Sequence, residues 1–394
     1  METRAVIIGV SDVIRLCTAR AVGAAGYRVD IVRVGKKTGK FLKAADYYSK
    51  FIDNYFYFDE TGAVSLPDFL IEKYKYSDQK PVLFTLGDRI THIIDEERVL
   101  LSDYFLFAYR KDGGSLSALM DKHFVKLQAE AAGFSVVKGW PIIYENDEFS
   151  IPDDIAFPCF VKGLYSYWNS KPIQRKCDTR AELTELIQSC KTIYPYSLYA
   201  EEYVESEKEM GILGVCLKEG CVIPAETELV IMGEGSNHGV SILGNVKPLG
   251  DDFEIKQKIE RLLKRLGYVG IFNIDFIVTK ESIFFVELNL RYATYGYGIF
   301  KSGINVPALY LEDLSQSVSH IPDRSITSDL FYFNEEVAYN SIIEGKLSIK
   351  RYKELRKQAD IRFVQSAEDP KPLRHLKFLF ALKYLRMLKK RIRG

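Results

Sequence analysis

Polar side chains with a spacing of two interrupt two neighbouring apolar segments, residues 271–279 and 283–291. Both segments have the β-branched and aromatic composition of strands. Successive strand side chains point to opposite faces, so the polar residues of each segment share one face. These residues are Asn273, Asp275, Glu287, Asn289 and Arg291. Carboxylate and amide oxygens are the ligands that Mg²⁺ prefers, usually together with phosphate oxygens, so the pattern predicts cation and phosphate chemistry.

The short connection between the two segments predicts how they pair. A three-residue hairpin loop at residues 280–282 would place Asp275 directly opposite Glu287. Directly opposed like charges destabilise a strand pair by up to about 1 kcal/mol, so a cation is expected between them. Asp275, Glu287 and Asn289 are therefore the predicted ligands of Mg²⁺ or Mn²⁺. A solvent-exposed polar face is the alternative that this hairpin alone leaves open.

Two lysines precede the hairpin at positions suited to phosphate contact. Lys122 opens an amphipathic helix, and Lys162 ends the apolar run at residues 157–161. Lysine binds phosphate as a mobile point charge. Each lysine by itself is more simply a solvated residue at the end of an element, so the prediction depends on their order relative to the hairpin.

In this order the motifs resemble those of the ATP-grasp superfamily, as in carbamoyl phosphate synthetase and D-alanine:D-alanine ligase. The resemblance covers residues 115–310 and implies that the two lysines contact the phosphates of ATP. It also implies that the strand at residues 199–204 contacts adenine and that a following glutamate holds the ribose hydroxyls. The expected nucleotide-binding set is Lys122, Lys162, Glu201, Glu202, Val204 and Glu209. Without the resemblance, these glutamates fit a charged loop after a strand equally well.

The resemblance implies that a carboxylate is activated as an acyl phosphate and is then attacked by an amine. Arg291 is expected to stabilise the acyl phosphate, and Arg291 and Lys162 form the predicted catalytic pair. A surface role for Arg291 is the alternative. The segment Gly163–Ser170 departs from the family's Gly- and Ser-rich covering loop because it carries three aromatic residues. His238 is the histidine expected nearest to a site, and no general base stands out.

The elements that position these residues begin with an α/β unit. Apolar runs at residues 5–10 and 29–34 flank a helical stretch that ends at Gly26, and a third run covers residues 81–86. Asp88 follows the third run. It either caps the next helix or lies at the edge of the sheet where ligands bind.

Two later helices have apolar residues at helical spacing. The first face is formed by Phe124, Leu127 and Ala131, before a stop at Gly133. The second, clearer stripe is formed by Ile259, Leu262, Leu263 and Leu266.

The predicted fold class is α/β (α+β), an ATP-grasp fold preceded by a Rossmann-like pre-ATP-grasp domain and followed by a basic helical extension. The predicted parts are the Rossmann-like domain (1–112), the ATP-grasp small subdomain (113–195), the C-terminal subdomain with the metal site (196–320), and an accessory region with the basic tail (321–394).

Composition limits the partners. The 394 residues carry a net charge of +1, so no overall field favours nucleic acid. The six cysteines form no CxxC pair and are expected to be reduced and mostly buried. No signal peptide or long uncharged apolar stretch is evident, so the expected location is the cytoplasm. After Asp369 the chain is basic and apolar, which favours either an interfacial helix at the inner membrane face or docking onto the protein body.

Over its full length the sequence looks closest to D-aspartate ligase and related carboxylate-amine ligases of bacterial cell-envelope synthesis, through Gly87-Asp88 and the basic tail. This implies a small carboxylate such as an amino acid, an amine acceptor on a wall precursor, and a homodimer. An ATP-binding regulator without turnover and a ligase of purine-type biosynthesis are the alternative functions.

Overall fold

A computed structural model describes residues 3–36, 44–168, 173–233, 240–249, 253–315 and 326–393. Three β-sheets organise the described part of the chain. His238, Asn169 and Ser170, which belong to the loops singled out above, lie outside the described residues.

The amino-terminal part is a parallel sheet with helices after its strands. The strands are β1 (Arg4–Gly9), β2 (Arg28–Gly35), β3 (Asn54–Asp59) and β4 (Val82–Leu86). The helices are α1 (Asp12–Ala24), α2 (Leu66–Tyr74), α3 (Asp88–Glu96) and α4 (Arg98–Leu101). The sheet order is β3-β2-β1-β4, and all three strand pairs are parallel. This confirms the predicted α/β opening, in which near-continuous apolar runs form strands covered on both faces.

A small antiparallel sheet follows. The elements of this stretch are β5 (Tyr109–Arg110), α5 (Lys122–Ala131), β6 (Ser135–Val136), β7 (Gly139–Glu145), β8 (Glu148–Ser150), β9 (Cys159–Gly163), β10 (Arg175–Cys177), α6 (Arg180–Ile193) and β11 (Leu198–Glu202). The sheet has the order β10-β9-β11-β7-β8. Because β11 is paired on both edges, the residues between Leu198 and Glu202 are held rigidly at its centre.

The largest sheet carries the predicted metal hairpin. Its region begins with β12 (Lys208–Cys216), β13 (Cys221–Met232), β14 (Ser241–Lys247), α7 (Phe253–Leu266), β15 (Tyr268–Val278) and β16 (Ile283–Asn289). The rest comprises α8 (Gly296–Lys301), α9 (Val306–Leu314), β17 (Leu330–Phe333), α10 (Glu335–Ile343), α11 (Ile349–Gln358), β18 (Ile361–Arg362) and α12 (Lys371–Arg393). The order is β18-β17-β14-β13-β12-β15-β16-β6, and β5 also pairs with β15. Short 3-10 helices cover Asp46–Tyr48 and Ser117–Met120.

The predicted domain boundaries stay predictions. Two strands pair with a sheet that lies on the other side of a predicted boundary. Strand β5 lies before residue 113 but pairs with β15 of the large sheet. Strand β11 lies after residue 195 but forms the centre of the small sheet. Sheet membership therefore follows pairing partners that lie far away in the sequence.

The predicted apolar face of α5 is wrong. Phe124, Leu127 and Ala131 are all exposed, while the buried stripe is formed by Val125 and Ala129 and continues to Ala132 beyond the end of the helix. The apolar residues of α5 lie on two different faces of the helix, so their spacing does not decide which face is buried. Packing against β16 and α7 buries the face with Val125 and Ala129. By contrast, the four predicted residues of the α7 stripe are all buried.

The cysteine prediction holds for four residues and fails for two. Cys17, Cys159, Cys177 and Cys190 are free and buried. Cys216 and Cys221 lie opposite each other where β12 turns into β13, and they form a disulfide. The hairpin brings these two thiols together, although their sequence spacing matches no familiar motif.

The start of the basic tail packs on the protein body. Arg20 of α1 binds Asp369 at 3.0 Å, and both side chains are about 2% exposed. Along α12, Leu376 is buried and Phe380 stacks on Tyr339 with ring centroids 4.5 Å apart. No helix in the described part of the chain combines the length and hydropathy needed to cross a bilayer. The first turns of α12 therefore pack on the protein body, which was one of the two predicted alternatives for the tail.

Candidate active site

The carboxylates of the hairpin face each other as the sequence predicts. Asp275 on β15 is directly opposite Glu287 on β16, and Asn273 is opposite Asn289. The Asn289 amide nitrogen donates to Asp275 Oδ2 at 2.9 Å and to Glu287 Oε1 at 3.4 Å. Asn273 donates to Asp275 Oδ1 at 3.0 Å and accepts from the hydroxyl of Tyr295. The set is thus a dense group of oxygen ligands on one face.

The loop that produces this register differs from the expected one. The hairpin loop spans residues 279–282, and Val278 pairs with Ile283. That pairing by itself would place Val286 opposite Asp275. A β-bulge between Asp275 and Phe276 absorbs one residue and restores Glu287 to that position.

The two opposed carboxylates titrate differently. Burial and the facing charge of Glu287 raise the pKa of Asp275 to about 7. Burial also acts to raise the pKa of Glu287, but the charges of Lys122 and Lys162 outweigh it and hold that pKa below its ordinary value. Negative charge at Asp275 is therefore incompletely compensated by the protein, as expected for a position that takes a cation.

The residues present fit a hard divalent cation. Two carboxylates and an amide oxygen match the usual protein contribution to a Mg²⁺ site, in which phosphate and water complete the shell. Among the described residues no group of three or more His, Cys, Asp or Glu side chains could hold a metal ion by itself. The Asn289 Oδ1 atom accepts from Arg291 at 3.3 Å, so ligation through this atom requires its amide to turn over.

Lys122 lies beside the acidic pair. It is the first residue of α5, whose N-cap Asp121 accepts from the amide of Phe124 at 3.0 Å. The Lys122 ammonium donates to Ser166 Oγ at 2.9 Å and lies 4.0 Å from Glu287 Oε2. Burial lowers the pKa of Lys122. This lysine therefore bridges the hairpin and the loop after β9.

Lys162 belongs to a buried charge cluster that the sequence analysis did not foresee. Lys162 of β9 binds Glu201 Oε1 at 2.7 Å, and Lys126 of α5 binds Glu201 Oε2 at 2.5 Å. All three side chains are less than one-tenth exposed. Burial acts to raise the pKa of Glu201, but the two ammonium groups outweigh it and lower that pKa. The Lys126-Glu201-Lys162 cluster thus carries a net positive charge close enough to act on Lys122 and Glu287.

Lys126 is a buried charged residue near the predicted site that the sequence analysis did not identify. It lies four residues after Lys122 and therefore on the same face of α5. That spacing was the available signal, but the predicted phase of the helix turned Phe124 and Leu127 inward and Lys126 outward. The carboxylate of Glu201, predicted to contact nucleotide, instead accepts from both lysines.

The remaining predicted nucleotide residues lie around the end of β11. Glu202 is exposed, and its amide donates to the Lys138 carbonyl at 3.0 Å. Val204 follows the strand by two residues. Glu209 lies on β12 two residues from Gly211, which is opposite Asp275, so Glu209 shares the face of the acidic pair. Their roles toward ATP stay predictions.

Arg291 connects the hairpin to the amino-terminal sheet. Its Nε donates to Asp88 Oδ1 at 3.0 Å, and the carboxylate of Asp88 is the main cause of its raised pKa. Asp88 is the first residue of α3, and the N-cap is Gly87, so the capping role considered for Asp88 is wrong. Asp88 instead lines a cavity at the carboxyl end of β4.

This cavity, about 980 Å³ in volume, lies between the hairpin and the amino-terminal sheet. Its hairpin side is lined by Lys122, Ser166, Glu287, Asn289 and Arg291. The opposite side comes from the residues just after β1, from β2, β3, β4 and α3, and from the segment that joins β3 to α2. Among the described residues that line it, none belongs to β11. The cavity is therefore space additional to the surface predicted for adenine.

Aromatic stacking fixes the loop after β9. The imidazole of His92 on α3 stacks on Tyr167 with centroids 4.0 Å apart and planes 8° from parallel. Its Nδ1 is hydrogen-bonded to Ser117 Oγ at 2.8 Å. Trp168 stacks on Tyr196 at 4.3 Å. The aromatic residues that looked anomalous for a covering loop thus anchor its start to both neighbouring sheets.

Solved structures share this architecture. Each of three examples covers 84% of this chain. N5-carboxyaminoimidazole synthetase from Staphylococcus aureus, complexed with ADP, is 15% identical, with 82% of its chain covered and a TM-score of 0.61. Biotin carboxylase from Campylobacter jejuni is 15% identical, with 75% covered and a TM-score of 0.62. L-amino acid ligase from Bacillus licheniformis is 13% identical, with 80% covered and a TM-score of 0.62. The chain therefore has the ATP-grasp fold, as its motifs predict.

Sequence comparison reaches less far. A curated relative, the arginine-specific large chain of carbamoyl phosphate synthase from Bacillus subtilis (strain 168), is 25% identical over 179 residues. The match covers 45% of this chain and 17% of that protein's length. No family model matches the sequence.

Proposed function

We propose that this chain is an ATP-dependent ligase that activates a carboxylate as an acyl phosphate and joins it to an amine. The observation that carries the proposal is the convergence of Asp275, Glu287 and Asn289 with Lys122 on one face of an ATP-grasp fold. The names of structurally similar proteins, which include an L-amino acid ligase and ADP-bound synthetases, support the same reaction class.

The proposed roles follow from charge and position. Asp275, Glu287 and Asn289 would hold Mg²⁺, which when bound neutralises the terminal phosphates of ATP. Lys122 and Lys162 would supply further positive charge for those phosphates, and Glu201 holds the Lys162 ammonium group. Phosphoryl transfer depends mainly on such positioning and charge neutralisation. Arg291, held by Asp88, would bind the substrate carboxylate and the acyl phosphate formed from it.

Glutamate substitution in the hairpin tests the proposal. ADP release is measured with Mg-ATP against a matrix of amino acids and amines, first with the wild-type chain. Glu287→Gln should lower the substrate-dependent rate at least 100-fold, because a metal ligand and its charge are lost. Glu281→Gln, in the exposed loop of the same hairpin, is the matched control and should retain the wild-type rate.

Two results would contradict the proposed ligase function. Undiminished ADP release by Glu287→Gln would show that the acidic pair is not the catalytic metal site. ATP binding without release for any carboxylate and amine pair would favour an ATP-binding regulator without turnover. A ligase of purine-type biosynthesis is the second enzymatic candidate, because the neighbours include N5-carboxyaminoimidazole ribonucleotide synthetase. Release that requires an imidazole nucleotide would select it.

The substrate proposal is an amino acid such as D-aspartate, joined to an amine of a cell-envelope precursor by a homodimeric enzyme. Its support is the resemblance of the sequence motifs and the polar end of the cavity. Addition of D-aspartate and L-aspartate separately to the ADP-release assay tests the carboxylate. Equal rates for both enantiomers, or no rate for either, would remove this choice.

We further propose that α12 attracts the chain to anionic membrane at the inner face. The support is that Phe378 and Leu385 are 52% and 55% exposed on a helix that also exposes Lys377 and Arg386. Charge reversal at Lys377 and Arg386 should abolish sedimentation with phosphatidylglycerol vesicles. Equal sedimentation of the variant and the wild-type chain would leave α12 as a packing element only.

A further inference from the structure

The amino-terminal side of the cavity has more apolar lining residues than the hairpin side. We use the name apolar lobe for the main apolar residues that line the amino-terminal side of the cavity: Val10, Val34, Phe58, Val64, Leu86 and Ile90. The ion pair of Glu60 and Arg89 lines the same side. Val34, Phe58 and Leu86 lie near the carboxyl ends of β2, β3 and β4, and Val10 directly follows β1. Val64 and Ile90 come from the segment before α2 and from α3. The lobe is therefore built on sheet ends and not on a single surface loop.

Burial is graded across the apolar lobe. Phe58, Leu86 and Val34 are only 8%, 7% and 6% exposed, so they form a packed floor. Val10 and Val64 are 61% and 57% exposed, although both line the same cavity. Large apolar side chains left open around a concave surface mark a place where another apolar group binds.

The charged residues between the hairpin side and the apolar lobe indicate where the carboxylate and the amine of the two substrates would bind. Arg291 lies on the hairpin side and is suited to the substrate carboxylate and its acyl phosphate. Asp88, 3.0 Å from Arg291, lines the cavity between Arg291 and the apolar lobe. A carboxylate at this position attracts an ammonium group and accepts its proton, and the neutral amine then attacks the acyl carbon as phosphate leaves. An amine held there lies next to the activated carboxyl and projects its remaining atoms into the apolar lobe.

We infer, on the basis of the proposed ligase function, that the apolar lobe binds the hydrocarbon body of the amine acceptor. The acceptor is thus an amine with an apolar group of several carbon atoms, and not a small polar amine such as ammonia. The cavity volume supports this class, because about 980 Å³ is at the upper end of sites that enclose drug-sized molecules. The proposed phosphate contacts line only the hairpin side of the cavity, and no described residue of the adenine surface predicted at β11 lines it.

A homologous series of amines tests the inference. With one productive carboxylate, kcat/KM is measured for n-alkylamines from ethylamine to hexylamine. Each methylene buried in the lobe should raise kcat/KM about fourfold, until the lobe is filled. Val64→Asp should lower kcat/KM for hexylamine at least tenfold and change that for ethylamine less than twofold. Val99→Asp, an 80% exposed valine of the same domain outside the cavity, is the control and should change neither.

Direct binding separates failure of the inference from failure of the proposed function. Hexylamine binding to the full chain with Mg-ADP is measured by calorimetry for the wild type, Val64→Asp and Val99→Asp. Binding that is lost only in Val64→Asp supports the apolar lobe even if no amine promotes ADP release. Equal kcat/KM along the series, or equal binding by all three proteins, overturns the inference. A chain-length effect of the carboxylate in place of the amine would assign the lobe to the donor and overturn it as well.

Discussion

The Lys126-Glu201-Lys162 cluster gives the sharpest prediction for stability. Glu201→Gln removes the one carboxylate between two ammonium groups, which it contacts at 2.5 and 2.7 Å. All three side chains are nearly inaccessible, so water cannot replace the lost charge. Breaking a buried ion pair from one side costs about 3–5 kcal/mol. For a domain of about 200 residues, losing that much free energy of unfolding lowers the thermal midpoint by roughly 10 °C.

Tryptophan fluorescence is a suitable assay because both tryptophans of the chain, Trp140 and Trp168, lie beside this cluster's sheet. Their thermal transition therefore reports the unfolding of the part that Glu201 stabilises. Glu202→Gln, the adjacent but exposed glutamate, is the matched control and should shift the midpoint by no more than about 2 °C.

The pH dependence gives a second readout with a defined sign. Burial already lowers the pKa of Lys126 from its ordinary value of 10.5, and loss of the Glu201 charge lowers it further. The folded variant then releases a proton at a lower pH than the unfolded chain, so its stability rises with pH in that window. The deficit of Glu201→Gln should therefore shrink between pH 7 and pH 10. Equal midpoints for both glutamine variants at pH 7 would refute the reasoning.

Three further predictions concern other contacts. His92→Ala should lower kcat/KM for ATP about twofold to tenfold by removing the stack on Tyr167, whereas His92→Phe retains the wild-type value; equal losses in both variants would contradict a stacking role. Asp88→Asn removes the charged partner of Arg291 and should raise KM for the carboxylate about tenfold without changing KM for ATP. An increase in KM for ATP alone would contradict this prediction. Burial raises the pKa of Glu336 to about 7, so its ionisation lowers the stability of the folded chain as pH rises from 5 to 8. Glu336→Gln should reduce this fall, although Asp275 still contributes to it, and should raise the thermal midpoint at pH 8; an unchanged pH profile would argue against it.

The alternation of polar and apolar residues in the sequence predicted which face of the hairpin carries the polar side chains. A strand alternates sides every residue, so the grouping of Asp275 with Glu287 and Asn289 followed from sequence alone. The loop length did not follow from it. One bulge residue at Val286 offsets the four-residue loop, and the predicted register was reached through an incorrect turn. Bulges depend on how a strand fits its partners, and no short sequence signal marked this one.

Helix phase and long-range ion pairs required the tertiary structure. The composition of α5 allowed two apolar faces, and only its packing on other elements buried Lys126 and exposed Phe124. Asp88 and Arg291 are 203 residues apart in the sequence, and Glu201 and Lys126 are 75 apart. Such pairs form because separate sheets bring their ends together.

The sequence by itself determined the fold type, through the resemblance of its motifs, and the acidic face of the hairpin, through the alternation of side chains along each strand. It also placed Lys122 at the start of a helix and Lys162 near the end of a strand, because both positions follow from contiguous apolar patterns. Only the tertiary structure decided what lies between them: the Lys126-Glu201-Lys162 cluster, the His92 stack and the apolar lobe. These depend on the relative placement of three sheets. That placement is set by the summed packing of many buried side chains, which no single segment of the sequence specifies.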